Sequence, residues 1–360
     1  MTDTRSFDPP RVAGPEGDDG GGEPRTSPWV TGLRLLGKGK LFLVLLLTMF
    51  IGTQVSPYFL TQGNLRNIVI AGSVVSVLAV AQFMVIVTGG IDLSVGSVAA
   101  LATVVTAVLL RGGQNTWLAV LITLAVCAGV GLINGCLVVY ARITPFIATL
   151  GTMSMVRGLA FLVQVGTLIV ISDKAFLTVF GGATAGVPHS VVIFMIVMLV
   201  AGFVMRYTAF GRRLYAIGGN REAARLSGLP VHRDLLTAYA VAGLLAGLAG
   251  LMLAGQLSQG SSLVGQGYEL DSIAAAVVGG AALMGGTGGP VTAVIGGLLI
   301  GTISNIMNLA GVQSEPQLVI KGGLILIAVF LTGGGGAQRV RAWFLRRRRG
   351  AGSSKEAVGG

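Results

Sequence analysis

The sequence predicts an all-α protein of the lipid bilayer, with about ten membrane-crossing helices in one bundle. Three observations carry that expectation. Apolar residues make up 53% of the chain and charged residues only 11%, whereas a soluble domain is about a quarter charged. The apolar residues fall into successive runs of about 20, the length a helix needs to cross a hydrocarbon core ~30 Å thick. The chain also holds 57 glycines, and small residues are what let helix backbones approach one another in lipid. Mean hydropathy of +0.81 fits the same class.

Taken in order, residues 1–34 are mostly polar at first and rich in Pro, Gly, Asp and Glu, the composition of a disordered tail. The first apolar run starts at Leu41, follows Arg34, Lys38 and Lys40, and lacks a small-residue cleavage site. It reads as a retained anchor rather than a cleaved signal. Spans are expected near 40–58, 67–88, 95–110, 116–140, 144–165, 188–205, 234–256, 270–285, 290–310 and 317–332. Together with their short links they make a membrane domain over 35–335, followed by a basic tail over 336–360. Two longer intervals interrupt the pattern. Residues 206–233 are polar and basic, and residues 166–188 are semi-apolar with room for a short surface helix.

An even number of spans puts both termini on one side, and charge decides which. Twenty of the 25 Lys and Arg residues fall before the first span, at Arg142, in 206–233 or in the tail. The positive-inside rule therefore places both termini and the 206–233 loop in the cytoplasm. The net charge of +11 is thus topological information, and its position at span ends argues against a nucleic-acid groove. Cys127 and Cys136, nine residues apart on one predicted helix, face opposite ways and cannot form a disulfide with each other there. With two histidines and no Cys/His cluster, neither a metal nor a cofactor is expected on this chain.

A faint internal repeat accompanies the spans. Gly131-Leu-Ile-Asn-Gly135 precedes Pro145, and Gly301-Thr-Ile-Ser-Asn305 precedes Pro316; Asp92 opens the third span as Asp271 opens the eighth. The paired spans run in opposite directions, as an inverted repeat requires. Small-residue spacing recurs by chance in apolar segments, so coincidence stands as the other explanation.

The string Gly89-Gly90-Ile91-Asp92-Leu93-Ser94-Val95-Gly96-Ser97 breaks the apolar pattern between the second and third spans. Its glycines free the backbone, and Asp92 with Ser94 can cap the amides of the following helix. It is either a capped tight turn or a direct contact with a substrate or partner. The string resembles the permease subunits of ribose-, xylose- and galactose-type ABC importers. Three further stretches share that resemblance: Ile143 to Gly151, Phe210 to Leu229, and Gly279 to Gly301. The likeness covers about 35–335. It implies a type II importer-like arrangement with inverted repeats, a dimer with a second permease copy (homodimer or related heterodimer), and an inner-membrane location. It further implies an ABC ATPase that binds the ATP, and a periplasmic or lipid-anchored sugar-binding protein that delivers a monosaccharide and sets much of the selectivity.

Within 206–233, Asn220 can cap a short helix at Arg221–Leu226, with Glu222 in its first turn and Gly228 and Pro230 ending it. Ala223 and Ala224 would leave a shallow face for a partner's cleft, and Leu229 closes the motif. This is the expected ATPase-coupling helix; a solvated loop that merely fixes topology is the plainer reading. Polar groups inside spans are costly and often functional. Gln82, Asn134, Gln164 and Asn305 are candidates to line a pathway, as are Asn308 and Arg157, although amides equally tie neighbouring helices together.

The chain contains no G-x-x-x-x-G-K-[ST] phosphate loop, no H-E-x-x-H and no Ser/His/Asp or Cys/His arrangement, so no enzymatic activity is expected. The competing classes are an ion-coupled secondary transporter, which usually needs embedded carboxylates, and a related ABC permease for branched-chain amino acids or nucleosides.

Overall fold

The computed structural model describes residues 28–332. Residues 1–27 of the expected disordered tail and the whole basic tail 336–360 lie outside the described residues. The chain divides into Met1–Gly39 and one compact unit, Lys40–Gly360, and the helix bundle belongs to the second. Ten helices lie at or near the ten expected positions, the eighth of them shortened. They are α1 (Pro28–Val55), α2 (Gln62–Ile86), α3 (Val95–Arg111), α4 (Thr116–Val139) and α5 (Pro145–Gln164), then α7 (His189–Tyr207), α10 (Val231–Leu257), α11 (Tyr268–Val278), α12 (Pro290–Leu309) and α13 (Ser314–Thr332). Three short helices fill the long intervals: α6 (Lys174–Gly181), α8 (Ala209–Gly219) and α9 (Arg221–Leu226). Six of the described helices are long and apolar enough to cross a membrane; α3 and residues 41–55 of α1 are shorter apolar helices.

The helix ends follow local chemistry. Thr61 and Asn115 accept hydrogen bonds from the first free amides of α2 and α4, and prolines open α5 and α12 where a missing N–H is harmless. Asp173 does the same for α6, accepting from Phe176 N at 2.7 Å, and also accepts from Thr116 Oγ1 at 2.9 Å, which pins the surface helix to the start of α4. Around α6 lie two small antiparallel pairings: β1 (Ile169–Val170) with β4 (Gln259–Gly260), and β2 (Ala183–Thr184) with β3 (Val187–Pro188).

The bundle is apolar on both sides of its helices, as lipid requires. α2 and α10 form its interior, while α1, α4, α5 and α7 present large exposed side chains such as Phe50, Trp117, Met155 and Phe203. Buried area cannot drive helix association in hydrocarbon, so close backbone approach must. Glycines provide it at two equivalent places. Gly243 of α10 meets Gly131 of α4, where an added methyl would sit 2.9 Å from the facing backbone; Gly301 of α12 meets Gly72 of α2, where it would sit at 2.8 Å. The packing of α4 on α10 is thus repeated by α12 on α2. Likewise α3 contacts α5 as α11 contacts α13. Helices α2–α5 and α10–α13 are the two halves of the repeat read from Gly131 and Gly301.

The eighth span differs from expectation. In place of a helix over 270–285, α11 has 11 residues and is flanked by irregular backbone, with Gly267 at φ +81° before it and Gly280 at φ +90° after it. Apolarity alone suggested a full span; the glycines break it. The preceding stretch, 258–267, runs antiparallel to α3 inside the bundle, with Gly260 against Thr103 and Gly265 against Gly96. Non-helical backbone is tolerated at that depth only when its polar groups find partners in protein. They do. Arg157 donates to the carbonyls of Ser262 and Val264, both at 2.8 Å, Gln164 accepts from Ser262 N at 2.7 Å, and Thr103 Oγ1 donates to Ser261 O at 3.1 Å.

Candidate functional site

The glycine-rich turn before α3 is held from three helices. Asp92 is 1% exposed, and its Oδ1 accepts from Ser94 N at 2.8 Å and Ser94 Oγ at 2.6 Å. From α4, Asn134 Nδ2 donates to Ser94 Oγ at 2.8 Å. From α2, the Gln82 amide brackets the Asp92 peptide; oriented with its nitrogen towards the carbonyl, the assignment that pairs both groups, it donates to Asp92 O at 2.8 Å and accepts from Asp92 N at 3.2 Å. Thr149 of α5 accepts from Leu93 N at 3.1 Å and donates to Ile91 O at 3.2 Å. Gly89 takes φ +80°, and at Gly90 an added Cβ would stand 2.7 Å from the Tyr239 hydroxyl of α10. The turn is therefore tied to its neighbouring helices, with Gly90 and Asp92 buried and Gly89 exposed at its edge; Ser94, the N-cap of α3, makes no side-chain cap bond. Gly96 leaves room for Glu269 and Gly265 at the opening of α11.

The four amides expected to line a pathway all find contacts within the chain. Gln82 and Asn134 are fully buried against the turn, and Asn134 Oδ1 has no hydrogen-bond partner. Gln164 holds the 258–267 stretch. Asn305 of α12 forms a reciprocal pair with Asn64 of α2, at 2.8 and 3.0 Å. Asn308 accepts from Gln317 at 2.8 Å. Gln82 and Asn134 are buried, whereas Gln164 and Asn305 are part-exposed and Asn308 is exposed. Of the acids at span ends, Asp271 accepts from Lys321 of α13 at 2.8 Å through Oδ2, while its Oδ1 and Glu269 Oε2 are buried without a partner.

The 206–233 interval folds as α8 and α9 against the start of α10. Asn220 Oδ1 accepts from Ala223 N at 2.9 Å, Glu222 and Arg225 pair at 2.6 Å, and Gly228 leaves the helix at φ +77°. The Arg225 guanidinium holds the Glu222 carboxyl below its ordinary value. A lowered carboxylate contributes above its unfolded value, so this pairing is complete at neutral pH and disappears only as pH falls through the lowered value. Deeper in, Arg213 grips Asp234 with two bonds of 2.6 and 2.9 Å, and that partner raises the arginine further above its ordinary value. This pair locks α8 to the start of α10.

The alanine pair does not form one outward face. Residues one apart on a helix are about 100° apart; Ala223 is exposed, whereas Ala224 is 5% exposed and packs with Val139, Ile217, Val231 and Leu235 of its own chain. Leu229 is half-buried against the same cluster. The outward surface of α9 is instead Arg221, Glu222, Ala223, Arg225 and above all Leu226, which is 74% exposed.

Three glycine segments meet beneath this surface. Gly218 of α8 leaves no room for a Cβ against Val87 O and the Gly286 amide; Gly286 N donates to Val87 O at 2.9 Å; Gly285 abuts Gly89 N and Gly218 O. The end of α2, the α11–α12 linker and α8 thus touch backbone to backbone. Sequence reading missed Gly218, Tyr239, Thr149 and Leu226 as members of these sites. Only the Gly218-Gly219 pair carried a visible signal, two adjacent glycines inside a helical stretch.

Fold and site together define a multi-pass membrane protein of the permease class. Over residues 64–329 the chain matches the family described as branched-chain amino acid transport system / permease component, and it belongs to that family. It is 39% identical over 315 residues to the ribose import permease protein of Escherichia coli strain K12, covering 85% of this chain and 98% of the relative. It is 37% identical over 294 residues to the D-allose transport system permease protein of the same strain, covering 81% and 90%. To the L-arabinose ABC transporter permease protein of Azospirillum brasilense it is 36% identical over 289 residues, covering 80% and 84%. No solved structure matches the chain.

Proposed function

We propose that this chain is the membrane-spanning permease subunit of an ATP-driven importer that carries a monosaccharide across the inner membrane. One observation carries the reading: likeness extends over more than four-fifths of its length to permeases named for ribose and D-allose. Although the family description names branched-chain amino acids, these relatives are sugar permeases, and they favour sugar over the amino-acid reading. ATP is bound by a separate ABC ATPase, since this chain has no phosphate loop of its own. A periplasmic or lipid-anchored sugar-binding protein supplies substrate, and a second permease copy completes the pore.

In this reading Asn220–Leu229 is the coupling element, lying on the cytoplasmic side with both termini. Its geometry supports that role. A partner pressing on Leu226 moves α9, which follows directly on α8, and α8 is joined through Gly218 and the Arg213–Asp234 pair to α2, α10 and the linker before α12. The glycine turn with Asp92 then serves as a rigid anchor for α3 rather than as a sugar contact. Packed contacts of this kind transmit displacement because they have few alternative arrangements.

The test is reconstitution of the chain in liposomes with its ATPase and binding protein. ATP-dependent accumulation of a pentose or hexose, with no accumulation of leucine, is expected. Uptake driven by a proton or sodium gradient without ATPase would replace this reading with secondary transport.

A further inference from the structure

An open groove of about 560 Å³ runs along the outer face of the α4–α10 pair. Its upper part is apolar, walled by Ala128 and Leu132 of α4 and by Leu236, Ala240 and Leu244 of α10. At its lower end, beside Tyr140, lie His232 and Arg233. A second cavity of about 380 Å³ continues from His232 to Arg142 and Arg221. The imidazole of His232 stands edge-on to Tyr140, ring centroids 6.3 Å apart, and forms the saddle between the two.

Charge and length are both specific. Three arginines line the two cavities, Arg233 the first and Arg142 and Arg221 the second, and no Asp or Glu lines either. Among the described residues Arg142, Arg221 and Arg233 make no salt bridge, unlike Arg213 and Arg225 nearby. Arg142 is also one of four non-glycine residues with positive φ among those described, at +56°, a conformation disfavoured for L side chains. From Tyr140 to Ala128 the groove climbs twelve residues, roughly 18 Å of helix, about the depth of one leaflet of a ~30 Å core. Shared arginines with a hydrocarbon channel above them demand a ligand that is anionic at one end and apolar at the other.

We propose that this groove binds one anionic phospholipid, its acyl chain between α4 and α10 and its phosphate among Arg142, Arg221 and Arg233. A second copy of the chain fits less well: in a two-fold interface the same patch faces itself, which would bring these arginines against their own counterparts. A soluble partner has no use for the apolar upper wall.

The experiment uses the purified full chain, stripped of lipid in mild detergent and then titrated with phosphatidylglycerol or phosphatidylcholine, with retained lipid read by native mass spectrometry. Phosphatidylglycerol should be retained preferentially. Arg142→Gln with Arg233→Gln should weaken that retention by on the order of tenfold per arginine, the worth of a charge-assisted bond to phosphate, while phosphatidylcholine retention stays level. Arg221 is left intact because it belongs to α9. Ala240→Trp, which fills the apolar wall, should lower retention of both lipids. Equal retention of the two lipids by the unaltered chain overturns the proposal, as does an unchanged preference in the double variant. Displacement of the lipid by glycerol phosphate at equal concentration would overturn it in favour of a soluble anion. A disulfide between two copies bearing His232→Cys, in a background without Cys127 and Cys136, would overturn it in favour of a permease interface.

Discussion

At the scale of single residues, the most informative side chain is Asp92. All three of its side-chain bonds converge on Oδ1, from Ser94 N, Ser94 Oγ and Asn134 Nδ2. Asparagine retains an acceptor at that position, and alanine does not. Asp92→Asn is therefore expected to keep near-normal stability and transport. Asp92→Ala leaves the buried Ser94 amide unpaired and is expected to lose about 1–3 kcal/mol, visible as a lower melting temperature in detergent. If Asp92 instead touched sugar, the two variants would lose transport equally with stability unchanged. Gly218 offers the complementary case. Any Cβ there strikes Val87 O, so Gly218→Ala should pry α8 from α2; the expected result is normal membrane insertion with ATP hydrolysis that sugar no longer stimulates.

At the scale of elements, α9 separates two roles that its sequence placed together. Ala224 packs into its own chain, so Ala224→Trp overpacks the cluster of Val139, Ile217, Val231 and Leu235, at a cost of about 1–3 kcal/mol. Thermal unfolding of the isolated permease should register that loss with no ATPase present. Leu226 projects outward, and Leu226→Asp is expected to leave unfolding unchanged while lowering ATPase copurification several-fold. Should Leu226→Asp copurify normally, α9 is not the docking element. The helix itself was legible from Asn220, Glu222, Gly228 and Pro230, because capping and exit are local chemistry. Which alanine faces inward was not, because that depends on where α10 and the end of α4 stand.

At the scale of the whole molecule, the internal two-fold organisation explains why α3 and α11 start inside the bundle, each after irregular backbone. The glycine turn precedes one and the 258–267 stretch the other, and their openings meet where Gly96 admits Glu269. Such paired interruptions are a recurrent feature of inverted-repeat transporters. The orientation of this assembly is testable at Ser227, which is exposed at the tip beyond α9. Ser227→Cys, in a background without Cys127 and Cys136, should react with a membrane-impermeant maleimide only after cells are opened. Reaction in intact cells would place α9 in the periplasm and exclude a cytoplasmic ATPase there.

By itself the sequence determined the class, the order of the apolar helices, the short capped helix after Asn220 and the family likeness. Those follow from hydropathy over about 20 residues and from capping chemistry within a few residues of each helix end. It also contained the repeat, as Gly131 and Gly301, without showing that these glycines face Gly243 and Gly72. Only the tertiary structure supplies the contacts of Gln82, Asn134, Gln164 and Asn305 within the chain. A polar side chain in a span is read the same way in sequence whether it meets water, substrate or another backbone. Here the partner is another part of the chain, 241 residues away for Asn305, and only packing that brings α2 against α12 selects it. The same reason hid the shortened α11: its apolar residues would suit a full span, but glycines at both ends, and the partners waiting along α3, make the broken form the satisfied one.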